Sequence, residues 1–189
     1  LNIAVEKGNI EIIKLLLDNP KIDPNAKSVF YQKEETALMI AISKNNIEIV
    51  KLLLNHPNID INPQPNDSCR GDTALNIALR EKNYEIAKLL LSKPNIDVNS
   101  KTIDPNWIKE SSLIIAVKNK NIEIIKLLLS NPNIDINFQN EYRYKKDTAL
   151  NYSVRDNNIE IVRLLLNHKN INVNVKSINY YYEETALMI

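Results

Sequence analysis

The sequence predicts an all-α solenoid, a stack of helix–turn–helix units with projecting loops. The first observation is a nine-residue pattern, N-[IY]-E-I-x-[KR]-L-L-L, which occurs five times in 189 residues. The second is a Leu residue that recurs every 37 or 38 residues, at Leu1, Leu38, Leu75, Leu113, Leu150 and Leu187. A fixed period of this length indicates stacked repeats rather than one globular core. We therefore expect one array over residues 1–189, with units 1–35, 36–72, 73–110, 111–147, 148–184 and a partial unit 185–189.

From the second unit onward, the first helix of each unit follows a Thr or Ser residue. In unit 36–72 we expect a helix over about Ala37–Lys44, with the Thr36 hydroxyl accepting from a free backbone N–H. Ala41 is a small residue that lets neighbouring helices approach closely. Gly or Asn follows this helix in three units, and both tolerate the left-handed backbone that ends a helix. The equivalent caps are Thr73, Ser111, Thr148 and Thr185.

The second helix carries the nine-residue pattern. We expect it over about Ile47–Asn55, capped by Asn46 and stopped by Pro57. Glu48 and Lys51 are three residues apart, so they can pair on the exposed face. The Ile and Leu residues of this helix need cover from both sides, so a single unit should not fold alone. The equivalent caps are Asn9, Asn83, Asn121 and Asn158.

A short I-D-x-N segment follows the second helix and ends at Asn62 in this unit. We interpret this Asn as a turn former whose side chain bonds its own backbone two residues on. The loop between this segment and the next Thr or Ser differs almost completely from unit to unit, whereas the helices hardly vary.

These residues resemble the ankyrin repeat. The match consists of T-A-L-M-I-A at 36–41, I-V-K-L-L-L at 49–54 and I-D-I-N at 59–62. The match extends over the whole chain. The repeats are also similar to those of the long ankyrin arrays of parasitic protists. The resemblance implies two antiparallel helices per unit and a projecting hairpin called the finger, which presents side chains to protein partners. Ala37 and Met39 stand where the family has Pro and His. Whether another residue makes the hydrogen bond of the family His is therefore open.

The fingers of this chain are residues 24–35, 62–72, 99–110, 137–147 and 174–184, here numbered 1 to 5. They contain nine of the aromatic residues, and aromatic side chains are the usual anchors of protein interfaces. The alternative is that these rings pack one finger against another, which we favour for Phe138. The candidate partner-binding residues are Phe30, Tyr31, Trp107, Tyr142, Tyr144, Tyr180, Tyr181 and Tyr182. Tyr84 and Tyr152 lie in the helical part, where we expect them to fill core or groove.

Several classes of function have little support in the sequence. The net charge is +1 with interspersed signs, unlike a general phosphate-backbone binder. Basic and aromatic residues cluster in finger 4 alone, at Arg143, Lys145 and Lys146. We expect no cofactor, because two Gly residues cannot build a phosphate-binding loop. We expect no metal site and no catalytic residue, because His56 and His168 are over 100 residues apart and Cys69 has no adjacent His or second Cys. No apolar run is long enough to span a membrane.

The isolated His and Cys residues have structural interpretations. His56 and His168 occupy equivalent places after the second helix of two units, and we expect them to form hydrogen bonds at the helix end. Cys69 is expected to be a plain exposed thiol. A single Cys indicates a reducing, cytoplasmic compartment.

The main hypothesis is therefore a non-catalytic scaffold that binds a protein partner through its fingers and its concave helix face. The alternative is a structural rod or spring segment of a cytoskeletal or filament assembly. Neither end has a polar capping repeat, so we expect an internal segment of a longer array, with flanking repeats or self-assembly through the uncapped ends.

Overall fold

The computed structural model describes residues 1–30, 33–63, 72–103, 109–141, 145–179 and 182–189. Five residues within these ranges are described by their backbone alone: Phe30, Lys33, Thr102, Ile103 and Asn179. The chain divides into two compact units, Leu1–Ile96 and Asp97–Ile189. Each unit consists of helix pairs joined by fingers.

The described residues form ten α-helices, two in each predicted repeat. The first helices are α1 (Asn2–Glu6), α3 (Ala37–Ser43), α5 (Ala74–Arg80), α7 (Ser112–Lys118) and α9 (Ala149–Arg155). The second helices are α2 (Ile10–Leu17), α4 (Ile47–Leu54), α6 (Tyr84–Leu91), α8 (Ile122–Ser130) and α10 (Ile159–Leu166). The helices expected at Ala37–Lys44 and Ile47–Asn55 are thus confirmed to within one residue.

Side-chain caps begin four of the five first helices as expected, and α1, which follows Leu1, has none. The Thr36 hydroxyl accepts a hydrogen bond from the backbone N–H of Met39 at 3.3 Å. Thr148 and Asn151 cap reciprocally, because the Thr148 N–H also donates to Asn151 Oδ1 at 3.0 Å. The hydroxyls of Thr73 and Ser111 accept in the same way.

The sixth predicted cap, Thr185, does not begin a helix. Residues 186–188 form a single turn, closed by a 2.9 Å hydrogen bond from Met188 N–H to the Thr185 carbonyl. Leu187 is 82% exposed, whereas the equivalent Leu38 is fully buried. Four residues of the given sequence follow Thr185, whereas the equivalent helix α3 has seven.

Four of the five second helices have the expected Asn cap. In the second repeat, for example, Asn46 Oδ1 accepts from Ile49 N–H at 3.1 Å. Asn83 is the exception: its side chain makes no cap, and its Nδ2 donates to the carbonyl of Ile42 at 3.0 Å. This bond joins the third repeat to the first helix of the second. The other three caps are Asn9, Asn121 and Asn158.

The turn between the two helices has a left-handed residue in every repeat. Gly8, Asn45 and Asn157 adopt positive φ, as their residue types suggest. Lys82 and Lys120 adopt the same conformation, with φ of 58° and 56°. The geometry of the turn therefore imposes this conformation even on residues that do not favour it.

The core of each unit lies between repeats. In the first unit α3 packs against α1 and α5, and α4 packs against α6; in the second, α7 packs against α9 and α8 against α10. Ile49 of α4 is 1% exposed, whereas the equivalent Ile12 of α2, in the first repeat of the given sequence, is 46% exposed. Burial at this position therefore comes from the neighbouring repeat. The small residues predicted at close helix approaches are buried: Ala41, Ala78, Ala116 and Ser153.

Asn side chains join successive repeats at the I-D-x-N segments. Asn25 Nδ2 donates to the Asn58 carbonyl at 2.7 Å, and Asn25 Oδ1 accepts from Asp60 N–H at 2.7 Å. The expectation that this Asn folds onto its own backbone was wrong. The preceding Asp makes that turn, since Asp23 Oδ1 accepts from Asn25 N–H at 2.9 Å. The Asn side chain is thereby left to bridge to the next repeat.

The described residues of the fingers form seven short strands. In the first unit β1 (Ser28–Phe30) pairs antiparallel with β2 (Lys33–Glu35). In the second unit β3 (Lys101–Ile103) pairs with β4 (Lys109–Ser111), and β5 (Lys145–Lys146), β6 (Ser177–Asn179) and β7 (Tyr182–Glu184) form a three-stranded sheet. The predicted projecting hairpins are thus confirmed at fingers 1, 3 and 5.

Candidate functional site

Finger 1 is held to the first repeat by the side chain of Asn2. Asn2 Nδ2 donates to the carbonyl oxygens of Ala26 at 2.9 Å and Glu35 at 3.3 Å, one on each side of the hairpin. Asn2 stands at the position of the family His, so at this repeat an Asn supplies a hydrogen bond from that position. Val29, in the hairpin, is 70% exposed.

Fingers 3, 4 and 5 of the second unit are joined by backbone hydrogen bonds. Lys109 N–H donates to the Glu141 carbonyl at 2.9 Å, and Glu141 N–H donates to the Lys109 carbonyl at 3.1 Å. Strand β5 of finger 4 pairs with β6 of finger 5. Neighbouring fingers therefore support each other and form a continuous framework for their side chains.

Of the eight candidate binding residues, Tyr182 is the one whose side chain the structure describes. It lies in β7 opposite Asn179 and is 69% exposed. Phe30 ends β1, and its side chain is outside the described atoms. The other candidates lie outside the described residues: Tyr31, Trp107, Tyr142, Tyr144, Tyr180 and Tyr181.

Phe138 packs within a finger-to-finger contact, as the alternative for this residue proposed. Its ring is half-buried, and Lys101 Nζ lies 4.9 Å from its centroid. This cation–π contact joins finger 4 to finger 3. Tyr84 and Tyr152 are half-buried, in agreement with their assignment to core or groove.

Tyr152, Lys118 and Glu110 form a polar cluster under fingers 3 and 4. Lys118 Nζ contacts the Glu110 carboxylate and lies 4.6 Å from the centre of the Tyr152 ring, whose hydroxyl accepts from Asn140 Nδ2 at 2.6 Å. Burial lowers the pKa of Lys118, but the hydrogen bond and charge of Glu110 outweigh it and the net shift is upward. Burial raises the pKa of Tyr152, and Lys118 only partly opposes this shift.

The sequence interpretation missed a recurrent acid–base pair at the base of the fingers. The acid is the residue before the first-helix cap, and the base lies eight positions later, at the end of that helix. Arg80 Nε lies 3.0 Å from Asp72 Oδ1, and Arg155 Nη1 lies 2.5 Å from Asp147 Oδ1. Glu110 and Lys118 form the equivalent pair in the fourth repeat. The repeated spacing was the available signal.

The basic residues of finger 4 are partly neutralised. Lys146 Nζ lies 3.9 Å from the Glu141 carboxylate, and Lys109 Nζ lies 4.0 Å from it. Lys145 is half-buried, and Arg143 is outside the described residues. This pairing weakens the case for an anion-binding finger.

The two His residues form the expected helix-end hydrogen bonds. His56 Nδ1 accepts from Asn58 N–H, and His168 Nδ1 accepts from Asn170 N–H, each at 3.3 Å. Within the described ranges, no three His, Cys, Asp or Glu side chains are grouped to hold a metal ion. Cys69 lies outside these ranges. No helix in the described part of the chain is long and apolar enough to cross a membrane.

Comparison with known proteins gives the same architecture. Among solved structures, the ankyrin repeat domain of Bcl-3, a unique member of the IkappaB protein family, is 23% identical with a TM-score of 0.73. That alignment covers 99% of this chain and 75% of the other. EF0377, an ankyrin repeat protein, is 27% identical with a TM-score of 0.74, over 98% and 86% of the two chains. None of the curated proteins searched matches.

The sequence itself matches the family directly. A sequence model described as ankyrin repeats (3 copies) matches residues 1–102 and 110–189. Ankyrin repeats are in general protein–protein interaction modules without catalytic activity. The helix pairs, their stacking and the projecting hairpins are the elements that this family shares, and the chain belongs to the ankyrin repeat family.

Proposed function

We propose that this chain is a non-catalytic scaffold that binds a protein partner through its fingers and the adjoining surface of its first helices. The observation that carries the proposal is the exposure of Tyr182. This aromatic side chain is 69% exposed on a hairpin that is itself held by hydrogen bonds and ion pairs. A large exposed ring on a fixed support is the usual form of an interface anchor.

The division between constant helices and variable fingers supports the same function. The second helices keep one pattern in all five repeats, whereas the finger sequences differ. Stacking requires the helices to stay alike, because each covers its neighbours. The fingers are free of this requirement, so their side chains can suit a particular partner.

Affinity capture from native extract tests the proposal. The wild-type array is compared with a variant that carries Trp107→Ser, Tyr180→Ser, Tyr181→Ser and Tyr182→Ser. The matched control replaces exposed residues of second helices, Lys51→Ser and Lys126→Ser. We expect one protein to be enriched by the wild type and the control and lost with the finger variant. Equal capture by all three would remove the fingers from the interface.

A cytoplasmic location belongs to the same proposal. A chain with a single Cys has no intrachain disulfide to form, which suits a reducing compartment. Fractionation of source cells with an antibody against the array would test it. Recovery with secreted proteins would contradict it.

A further inference from the structure

The base of finger 5 is held by four polar side chains, which we term the Arg155 cluster: Asp147, Arg155, Ser177 and Glu184. Arg155 Nη1 lies 2.5 Å from Asp147 Oδ1, and Arg155 Nη2 donates to Ser177 Oγ at 2.9 Å. Ser177 Oγ donates in turn to Asp147 Oδ1 at 2.5 Å. Arg155 Nη2 also lies 3.5 Å from Glu184 Oε2. One guanidinium therefore contacts two carboxylates and a hydroxyl.

The Arg155 cluster connects a helix to both strands of a hairpin. Arg155 ends α9, while Ser177 and Glu184 are directly opposite each other in β6 and β7. Tyr182 lies two residues before Glu184 in the same strand. Alternate residues of a strand share a face, so Tyr182 and Glu184 lie on the side of the hairpin that faces Arg155. The orientation of this face determines where Tyr182 is presented.

Burial makes these contacts stronger than ordinary surface pairs. Ser177 is fully buried and Asp147 is 5% exposed. Loss of the guanidinium would leave the Asp147 carboxylate buried without its cation, which is costly. The Glu184 side chain is 38% exposed, so its contact with Arg155 is the more readily broken part of the cluster.

Comparison with other repeats indicates that stacking does not require this cluster. The third repeat has the same acid and base, Asp72 and Arg80. The second repeat has Ser43 at the position of Arg155, yet its first helix is buried like the others. The basic residue therefore serves a purpose other than burial of the helix. Its contacts to Ser177 and Glu184 indicate that this purpose is to hold the finger.

We propose that Arg155 is a positioning residue for the binding surface: it fixes the β6–β7 hairpin so that Tyr182 meets the partner in one orientation. A hairpin fixed in advance loses less conformational entropy on binding, which raises affinity without a new contact. The effect on affinity rests on the proposed function, since Tyr182 contacts a partner only if finger 5 binds that partner. The positioning itself is a property of the free chain.

Amide hydrogen exchange of the 189-residue chain tests the positioning without a partner. Arg155→Met removes the charge and keeps most of the apolar stem, whereas Arg155→Lys keeps the charge. We expect Arg155→Met to raise exchange in a peptide spanning 177–184 by tenfold or more, with exchange in α10 unchanged. Arg155→Lys should give a smaller increase. The control Arg163→Met changes an Arg of α10 in the same repeat and should leave the finger peptide unchanged.

A second variant keeps the test decisive if Arg155→Met disturbs the whole repeat. Glu184→Gln removes the finger carboxylate and leaves the contact of Arg155 with Asp147. We expect it to raise exchange in the 177–184 peptide and not in α9. Wild-type protection of the finger in both Arg155→Met and Glu184→Gln would overturn the proposal. Loss of capture with Tyr182→Ser is a separate result, so failure of the positioning and failure of the binding function can be distinguished.

Discussion

The side-chain oxygen of Asn137 accepts a hydrogen bond from the backbone N–H of Asn172 at 2.8 Å, across the boundary between the fourth and fifth repeats. The nitrogen of the same side chain donates to the Asn170 carbonyl at 2.8 Å. One side chain thus pairs two backbone groups of the next repeat, as Asn25 does in the first unit. These bonds hold together the I-D-x-N turns of successive repeats. The apolar contacts between stacked helices do not include these turns.

Asn137→Ala should lower the free energy of unfolding by about 1–3 kcal/mol, because it removes two hydrogen bonds that each contribute about 0.5–1.5 kcal/mol. Urea unfolding followed by circular dichroism measures the loss. Asn174 is the matched control: it occupies the same position in the fifth repeat, and its side chain makes no hydrogen bond to the described residues. Asn174→Ala should cost less than about 0.5 kcal/mol. Equal losses would contradict the bridging role.

Ile49→Ala should destabilise the chain by about 2–5 kcal/mol, because a fully packed side chain is removed from between two repeats. Ile12→Ala makes the same change at the equivalent position of the first repeat, where the side chain is 46% exposed. We expect about 1 kcal/mol or less there, since less apolar surface is lost. Thermal and urea unfolding of both variants compare the two positions. Similar losses at both would argue against stacking as the source of burial.

Asn83→Asp should destabilise the chain and Asn121→Asp should not, although both residues precede a second helix. Asn121 accepts from Ile124 N–H at 3.0 Å, and a carboxylate can accept in the same place and complements the helix dipole. Asn83 instead donates to the Ile42 carbonyl, which a carboxylate cannot do. We expect a change within about 0.5 kcal/mol for Asn121→Asp and a loss of about 1–3 kcal/mol for Asn83→Asp. Unfolding curves would refute this if the two losses were equal.

Stability should fall as the pH rises above about 10. The pKa values of Lys118 and Tyr152 are raised from their ordinary values of 10.5 and 10.0, so the folded chain keeps protons that the unfolded chain releases. The contribution is complete below the unfolded pKa values and is lost as the pH passes through the folded ones. Urea unfolding at several values from pH 8 to 11 measures this loss. The stability of the Tyr152→Phe variant should fall less steeply with pH. A slope identical to that of the wild type would contradict the contribution assigned to Tyr152.

The fold could be predicted from the sequence because every repeat has the same second-helix pattern and predicts the same pair of helices. Four first helices begin where the sequence predicts, after the caps Thr36, Thr73, Ser111 and Thr148. Local pattern therefore locates these helices. Asn83 shows the limit of local pattern. It has the same motif as Asn46, which caps its own helix, yet the Asn83 side chain bonds to Ile42 of another repeat.

Contacts between repeats were less predictable than the elements themselves. The Asp and Asn of each I-D-x-N segment are both common turn formers, and the sequence does not say which one folds back. The Arg155 cluster was missed because its members are up to 37 residues apart, from Asp147 to Glu184. Beside the eight-residue spacing of Asp147 and Arg155, the signal was a spacing close to one repeat length, which becomes informative when stacked repeats place equivalent positions side by side.

The central claim, that the fingers bind the partner, is tested most directly by photo-crosslinking in native extract. A photoreactive phenylalanine analogue replaces Tyr182 on finger 5 in one sample and Lys126 on α8, an exposed second-helix site, in the other. We predict a discrete higher-mass adduct from the Tyr182 site that contains one partner protein, and no such adduct from the Lys126 site. An adduct from Lys126 with none from Tyr182 would show that the partner binds the second-helix surface, and the finger assignment would be wrong.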